Sequence, residues 1–252
     1  MKRFVKVLSR VRSLLFPRKC TGCSTLLDWY DSDRPILCDA CLERWEREMK
    51  LPCDLCAGPI SKCTCMTEPM KKAGCASFRK LTYYRHGKRD EVQSRMIYRI
   101  KNTRDRETTA FLADRLLRVC EQELAALSSN GAVRVTYVPR STAARLESGT
   151  DQARELAKTF SHLSGLPVER LIERSTRRHT AQKKLSARDR QRNAEQAFRL
   201  SKRADVKGKT VILIDDIVTT GATAAACVKL LRKGGASQVL CLAVASNELE
   251  RR

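Results

Sequence analysis

The sequence predicts an α/β protein: a twisted, mostly parallel sheet flanked by helices, preceded by a small cysteine-rich domain. Three observations carry this. Residues 211–214 form an aliphatic run, followed by two carboxylates, a hydroxyl- and glycine-rich turn and an alanine-rich stretch, VILIDDIVTTGATAAA. An apolar run without alternation fits a strand covered on both faces, as in a parallel sheet. From about residue 78 onward, strand-like and helix-like segments alternate, as parallel strands joined by crossover helices require. Eight of the 12 cysteines fall in tight pairs before residue 66, which is the spacing of metal ligands.

Residues 1–18 place Phe4, Val7 or Leu8, Val11, Leu14 and Leu15 on one helical face. Lys6, Ser9, Arg10 and Arg12 interrupt the apolar residues, unlike the continuous centre of a secretion signal. Such an amphipathic helix packs on protein or lies at a membrane surface. No apolar run reaches the length of a membrane span.

Cys20-x-x-Cys23 is followed after fourteen residues by Cys38-x-x-Cys41, and Cys53-x-x-Cys56 after six by Cys63-x-Cys65. Two pairs of thiolates complete a tetrahedral site, so residues 19–67 are expected to hold two structural Zn2+ ions. Sequential pairing gives Cys20/Cys23/Cys38/Cys41 and Cys53/Cys56/Cys63/Cys65; an interleaved cross-brace satisfies the same spacing. Iron accepts the same ligands, but paired knuckles are typical of zinc. Gly22 and Gly58 are expected to supply the permissive backbone of the knuckles. So small and polar a segment takes its folding energy from the metal. Paired metal-type cysteines point to a reducing cytoplasm.

Residues 66–77 read as a linker, and the sheet domain spans 78–252. Residues 78–84 alternate weakly as a strand. Residues 90–101 carry Val92, Met96, Ile97 and Ile100 at helical spacing. Residues 106–127 read as one long helix, through Leu112, Leu116, Val119, Cys120, Leu124 and Leu127, closed by a turn at 128–131. Residues 133–138 are a strand with Arg140 just past its carboxyl end, where open α/β sheets bind ligands. Arg140 there suits a phosphate group; a charged residue that only caps the strand is the alternative. Residues 151–163 form a helix burying Ala153, Leu156, Ala157, Phe160 and Leu163, stopped by Gly165 and Pro167. A short strand at Leu171 and Ile172 opens the densest basic region, with 14 Lys and Arg against 4 Asp and Glu over residues 170–209. This reads as a mobile flap, able to close over a phosphate or to bind a nucleic-acid backbone. A helix over 222–233 and a buried strand over 238–245 complete the domain.

The turn after the 211–214 run is a phosphate site laid out in sequence. Thr219, Thr220, Gly221, Ala222 and Thr223 bring hydroxyls and free N–H groups to a helix N-terminus. Asp215 and Asp216 would repel a phosphate; they suit ribose hydroxyls, a bound cation, or both. The net charge of +22 favours a polyanionic partner, while 5% aromatic content argues against stacking on many bases. The stretch resembles the 5-phosphoribosyl-1-pyrophosphate (PRPP) signature of type I phosphoribosyltransferases. That resemblance implies that Asp215 and Asp216 hold the ribose 2- and 3-hydroxyls and that residues 219–223 wrap the 5-phosphate.

Nearly the whole chain resembles the ComF family, of the ComFC type, in bacterial natural transformation. The likeness lies in the paired cysteines, IYRIKN at 97–102, Pro139-Arg140 with Arg145, Asp151-Gln152, and the spacing of Thr180, Leu185 and Asn193 before the PRPP signature. It implies a double zinc ribbon and a phosphoribosyltransferase domain, acting in the cytoplasm on incoming single-stranded DNA. A DNA-uptake helicase or other transformation proteins are then candidate partners. As an enzyme, the chain would bind PRPP with Mg2+, and Arg140 with Arg177 and Arg178 would neutralise the departing pyrophosphate. The alternative is a non-catalytic nucleic-acid-binding adaptor with a regulatory or vestigial PRPP site. The chain departs from the family at Ser148-Gly149-Thr150-Asp151-Gln152, where relatives commonly read Arg-Gly-Phe-Asn-Gln.

Overall fold

The structure, a computed structural model, describes residues 17–27, 36–85, 87, 90–127, 132–140, 149, 151–175 and 197–248. Most of the expected N-terminal helix, the turn at 128–131, and the flap centre with Arg177 and Arg178 lie outside the described residues.

Four parallel strands make the main sheet, in the order β1-β6-β5-β2. They are β1 (Ser77–Tyr83), β2 (Val133–Tyr137), β5 (Thr210–Val218) and β6 (Gln238–Ser246). The unalternating apolar runs take the two central positions, where both faces are covered. Ile212, Ile214, Leu242 and Val244 point into one core, and Val211, Leu213, Cys241 and Ala243 into the other.

The first core is built from α3 (Val92–Asn102), α4 (Arg106–Val119) and α6 (Gln152–Ser164). The second is built from α7 (Ala222–Lys233), α2 (Glu68–Lys72) and a two-stranded antiparallel ribbon of β3 (Ile172–Arg174) and β4 (Phe198–Leu200). This ribbon is the base of the expected flap and does not join the main sheet.

The structure corrects several local expectations. The helix over 106–127 is broken at Cys120, giving α4 and a separate α5 (Glu121–Leu127). The buried Cys120 leaves helical geometry at φ −111° and ψ 11°, and the last turn of α4 closes on a Cys120 N–H to Leu117 O bond of 3.3 Å. Leu163 is 44% exposed. Its helix ends one residue later, where Gly165, at φ +71°, turns the chain back. The expected linker contains α2, which buries Met70 completely.

The cysteine-rich segment does not stand apart. Within its helix α1 (Asp39–Lys50), Trp45 is fully buried and meets Phe111 of α4 edge-on, with ring centroids 5.7 Å apart. Cys20, Leu37, Cys41 and Trp45 belong to the same apolar cluster as α3, α4 and α6.

Candidate active site

The site exists because β2 ends before β5 does. The last β2 pairing is Tyr137 with Ile214, whereas β5 stays paired with β6 as far as Val218 with Ser246. Asp215 and Asp216 therefore sit inside the strand, on a stretch whose β2 side is open. Each carboxylate takes up a neighbouring backbone donor: Asp215 Oδ1 accepts from Asp216 N at 2.9 Å, and Asp216 Oδ1 from Ile217 N at 2.8 Å. Burial, and then the charge of Asp216, push the Asp215 carboxyl well above the usual carboxylate range. Two acids so placed have the chemistry to take a cation or a hydroxyl ligand.

A cavity of about 210 Å³ opens over them, bounded by Arg140, Gln152, Arg174 and the loop from Thr219 into the first turn of α7. Thr219, Gly221, Ala222 and Thr223 line it; Thr220 does not, and its hydroxyl instead accepts from Ala222 N at 3.4 Å. Gly221 caps α7 at φ +76°. Its lack of a side chain is needed for packing: a Cβ there would overlap Thr67 Oγ1 and lie 3.1 Å from Thr67 Cβ and 3.2 Å from Met70 Cγ. Gly221 thus lines the cavity on one side and packs against Thr67 and α2 on the other.

Three residues that sequence reasoning did not assign to the site complete it. Gln152 is buried; its Oε1 accepts from Arg140 at 2.5 Å, and its Nε2 donates to Lys101 O at 3.0 Å. Lys101, in the last turn of α3, brings its ammonium to 3.8 Å from Asp216 Oδ2. Arg174 stacks its guanidinium 5.0 Å from the centre of the Phe198 ring and donates to Pro139 O at 3.3 Å. Burial lowers its pKa. The only sequence signals for these were the resemblance stretches containing Lys101 and Gln152 and the strand preceding Arg174. Arg140 stands at the cavity, as its position after β2 suggested.

The eight cysteines form two groups in sequential pairing, Cys20/Cys23/Cys38/Cys41 and Cys53/Cys56/Cys63/Cys65, with the ligand atoms of each within 4.8 Å of one another. None of the described cysteines is in a disulfide. Such soft donor sets can hold structural zinc. The knuckles share a design that the sequence reading misplaced. Ser24 (φ 66°) and Ala57 (φ 57°), each just after a Cys-x-x-Cys pair, take the left-handed conformation. Gly22 and Gly58 do not; Gly22 is needed because a Cβ there would lie 2.8 Å from Cys41 Sγ. Among the described residues no helix is long and apolar enough to cross a membrane.

A family model for the phosphoribosyl transferase domain matches residues 146–251. The chain is 34% identical over 154 residues to the DNA utilization protein YhgH of Salmonella typhi, covering 59% of this chain and 66% of that one. It is also 34% identical over 92 residues to competence protein F of Haemophilus influenzae, covering 36% and 40%. The match thus spans just under two thirds of the length of the first relative. Among solved structures, glutamine PRPP amidotransferase from B. subtilis aligns with 22% identity and a TM-score of 0.35, over 54% of this chain and 26% of that one. The fold and the domain match define a protein with a type I phosphoribosyltransferase domain and a cysteine-cluster region before it. Its relatives, a DNA utilization protein and a competence protein, support a ComF-type protein.

Proposed function

We propose that the chain binds PRPP in the cavity over Asp215 and Asp216 and works in DNA uptake and utilisation, handling incoming single-stranded DNA in the cytoplasm. One observation carries the PRPP reading: a half-buried carboxylate pair, a helix N-terminus and two arginines converge on one cavity at the carboxyl ends of β2 and β5. Asp215 and Asp216 would hold the ribose hydroxyls and a PRPP-bound Mg2+, whose charge would offset the burial and the Asp216 charge that raise the Asp215 pKa. Mg2+ would supply charge neutralisation at the pyrophosphate oxygens. Thr219, Thr223 and the first turn of α7 would take the 5-phosphate. Arg140, held by Gln152, and Arg174 would stabilise pyrophosphate as its bond to ribose C1 breaks and the bond from an acceptor forms.

The DNA reading draws on the names of the relatives and on the surface beside the cavity. A cleft sharing Asp151 and Gln152 with the site is lined by Arg104, Arg106 and Arg154. It continues, through Arg104 and Arg106, towards Arg18 and Lys19 at the first knuckle. These basic residues, set among Asp105, Glu107, Asp151 and Glu155, offer contacts to a nucleic-acid backbone.

A second reading, a non-catalytic adaptor with a regulatory PRPP site, is favoured by one feature. Among the described residues lining the cavity none is aromatic, so nothing there stacks a base acceptor. Calorimetric titration with PRPP and Mg2+, beside an Asp215→Asn/Asp216→Asn variant, tests the site. Binding by the native protein alone supports it; no binding by zinc-loaded native protein overturns it. Pyrophosphate release on adding single-stranded DNA marks the enzyme. PRPP-dependent DNA binding without release marks the adaptor.

A further inference from the structure

Lys80 lies in the middle of β1 and is fully buried. Among the described residues, no carboxylate lies within ion-pair distance of it. Its ammonium sits 3.7 Å from Cys63 Sγ and 3.2 Å from Cys65 O, and over the rings of Phe78 (5.2 Å) and Tyr83 (6.0 Å). A carbonyl and two π faces offset only part of the cost of removing an ammonium from water; a buried cation needs an anion. The group within reach that can supply one is the second cysteine cluster, because four thiolates around a divalent ion carry a net charge of −2.

The two clusters differ in this respect. The sulfurs of the first accept from neutral donors among the described residues: Gly22 N and Cys38 N both reach Cys20 Sγ at 3.3 Å. Cys63 Sγ accepts from Cys65 N at 3.2 Å and, in addition, from a full positive charge.

We propose that Lys80 is the charge-balancing outer partner of a metal ion held by Cys53, Cys56, Cys63 and Cys65, and that it ties this ion to the edge strand of the sheet. Lys80 makes no contact with the metal itself; it acts through Cys63 and Cys65 as a positioning residue. The second cluster therefore retains its ion for a reason the first lacks. The inference is independent of PRPP binding, so the failure of either reading leaves the other standing.

The test is zinc release from the full chain into an excess of chromophoric chelator, with metal content measured beforehand. We expect Lys80→Met to speed the release of one ion per chain by about 10- to 100-fold, the usual cost of losing an outer-shell partner, and to leave the other ion unchanged. Lys80→Gln, which keeps a neutral donor, should behave like Lys80→Met, and Lys80→Arg should stay close to native. The proposal fails if Lys80→Met or Lys80→Gln releases both ions at native rates, or accelerates both equally. If Lys80→Met does not fold, the contrast between Lys80→Gln and Lys80→Arg decides: equal release rates overturn the role of charge. A native chain that binds one ion only, at the first cluster, also overturns it.

Discussion

Gly221 is where the loop over the cavity is pinned from behind, and replacing it with alanine exposes that dependence. Two costs add. At φ +76° a β-carbon meets the left-handed penalty of about 1–2 kcal/mol. The same carbon would overlap Thr67 Oγ1 and press on Thr67 Cβ and Met70 Cγ, at 3.1 and 3.2 Å. Overpacking of this kind costs about 1–3 kcal/mol. Gly221→Ala should therefore lose about 2–5 kcal/mol in urea unfolding of the zinc-loaded protein. Thr67→Ala separates the two parts. It removes a buried hydroxyl that makes no hydrogen bond, so alone it should be close to neutral. In the Gly221→Ala background it should recover most of the packing loss and none of the backbone loss, a coupling that a double-mutant cycle reads directly. A cost below about 1 kcal/mol would show that the loop is not held in the left-handed conformation. An equal cost with and without Thr67 would show that α2 and Thr67 do not support it.

Two further outcomes follow from the same geometry. Asp215→Asn should abolish PRPP binding yet stabilise the ligand-free protein. The native Asp215 pKa lies above its unfolded value, so the native chain loses stability as pH rises from the usual carboxylate range through that raised pKa. The advantage of the asparagine should be absent below that range and grow across the window; urea midpoints measured from pH 4 to pH 8 check it, and a pH-independent difference contradicts the shift. Removing metal should release α1, whose first residues follow Cys38, and expose Trp45. Its emission should move to the red, a change that Trp45→Phe eliminates; an unmoved spectrum would mean that α1 stays docked without metal.

What the sequence revealed, and what it concealed, divides along the range of the interactions. The β5 run, the acidic pair after it and the cysteine spacing are local patterns, and each forces its own structure: a strand buried on both faces, carboxylates at an open edge, thiolates gathered at knuckles. Periodicity located α3 and α6 for the same reason. It could not place Lys101, which reads as an ordinary basic residue in a last helical turn. Nor could it place Gln152, a buried amide whose two partners are 12 and 51 residues away in the chain. The break at Cys120 is likewise invisible to an apolar stripe that continues through Leu124 and Leu127. Gly22, Gly58 and Gly221 were the natural choices for special backbone or ligand approach. Gly22 is instead crowded by Cys41, and Gly221, which does take a positive φ, is crowded as well by Thr67 and Met70, contacts that no spacing encodes.

Those long-range contacts also decide how the cysteine-rich segment bears on the site. Val92, at the start of α3, is the third atom group a side chain at Gly22 would meet, at 3.3 Å, beside Cys41. The helix that presents Lys101 to Asp216 therefore begins against the first cluster. Thr67, two residues past Cys65, backs Gly221 in the loop over the cavity. Lys80 reaches the second cysteine cluster from β1, which pairs with β6, the strand that pairs with β5 at Asp215. Each cysteine cluster thus touches an element that forms or supports the cavity wall. A packed interior transmits displacement rather than absorbing it, and the knuckles are packed into the elements around the cavity rather than held apart from them. This accounts for a buried lysine on a sheet strand and for a glycine whose neighbours lie in another part of the chain.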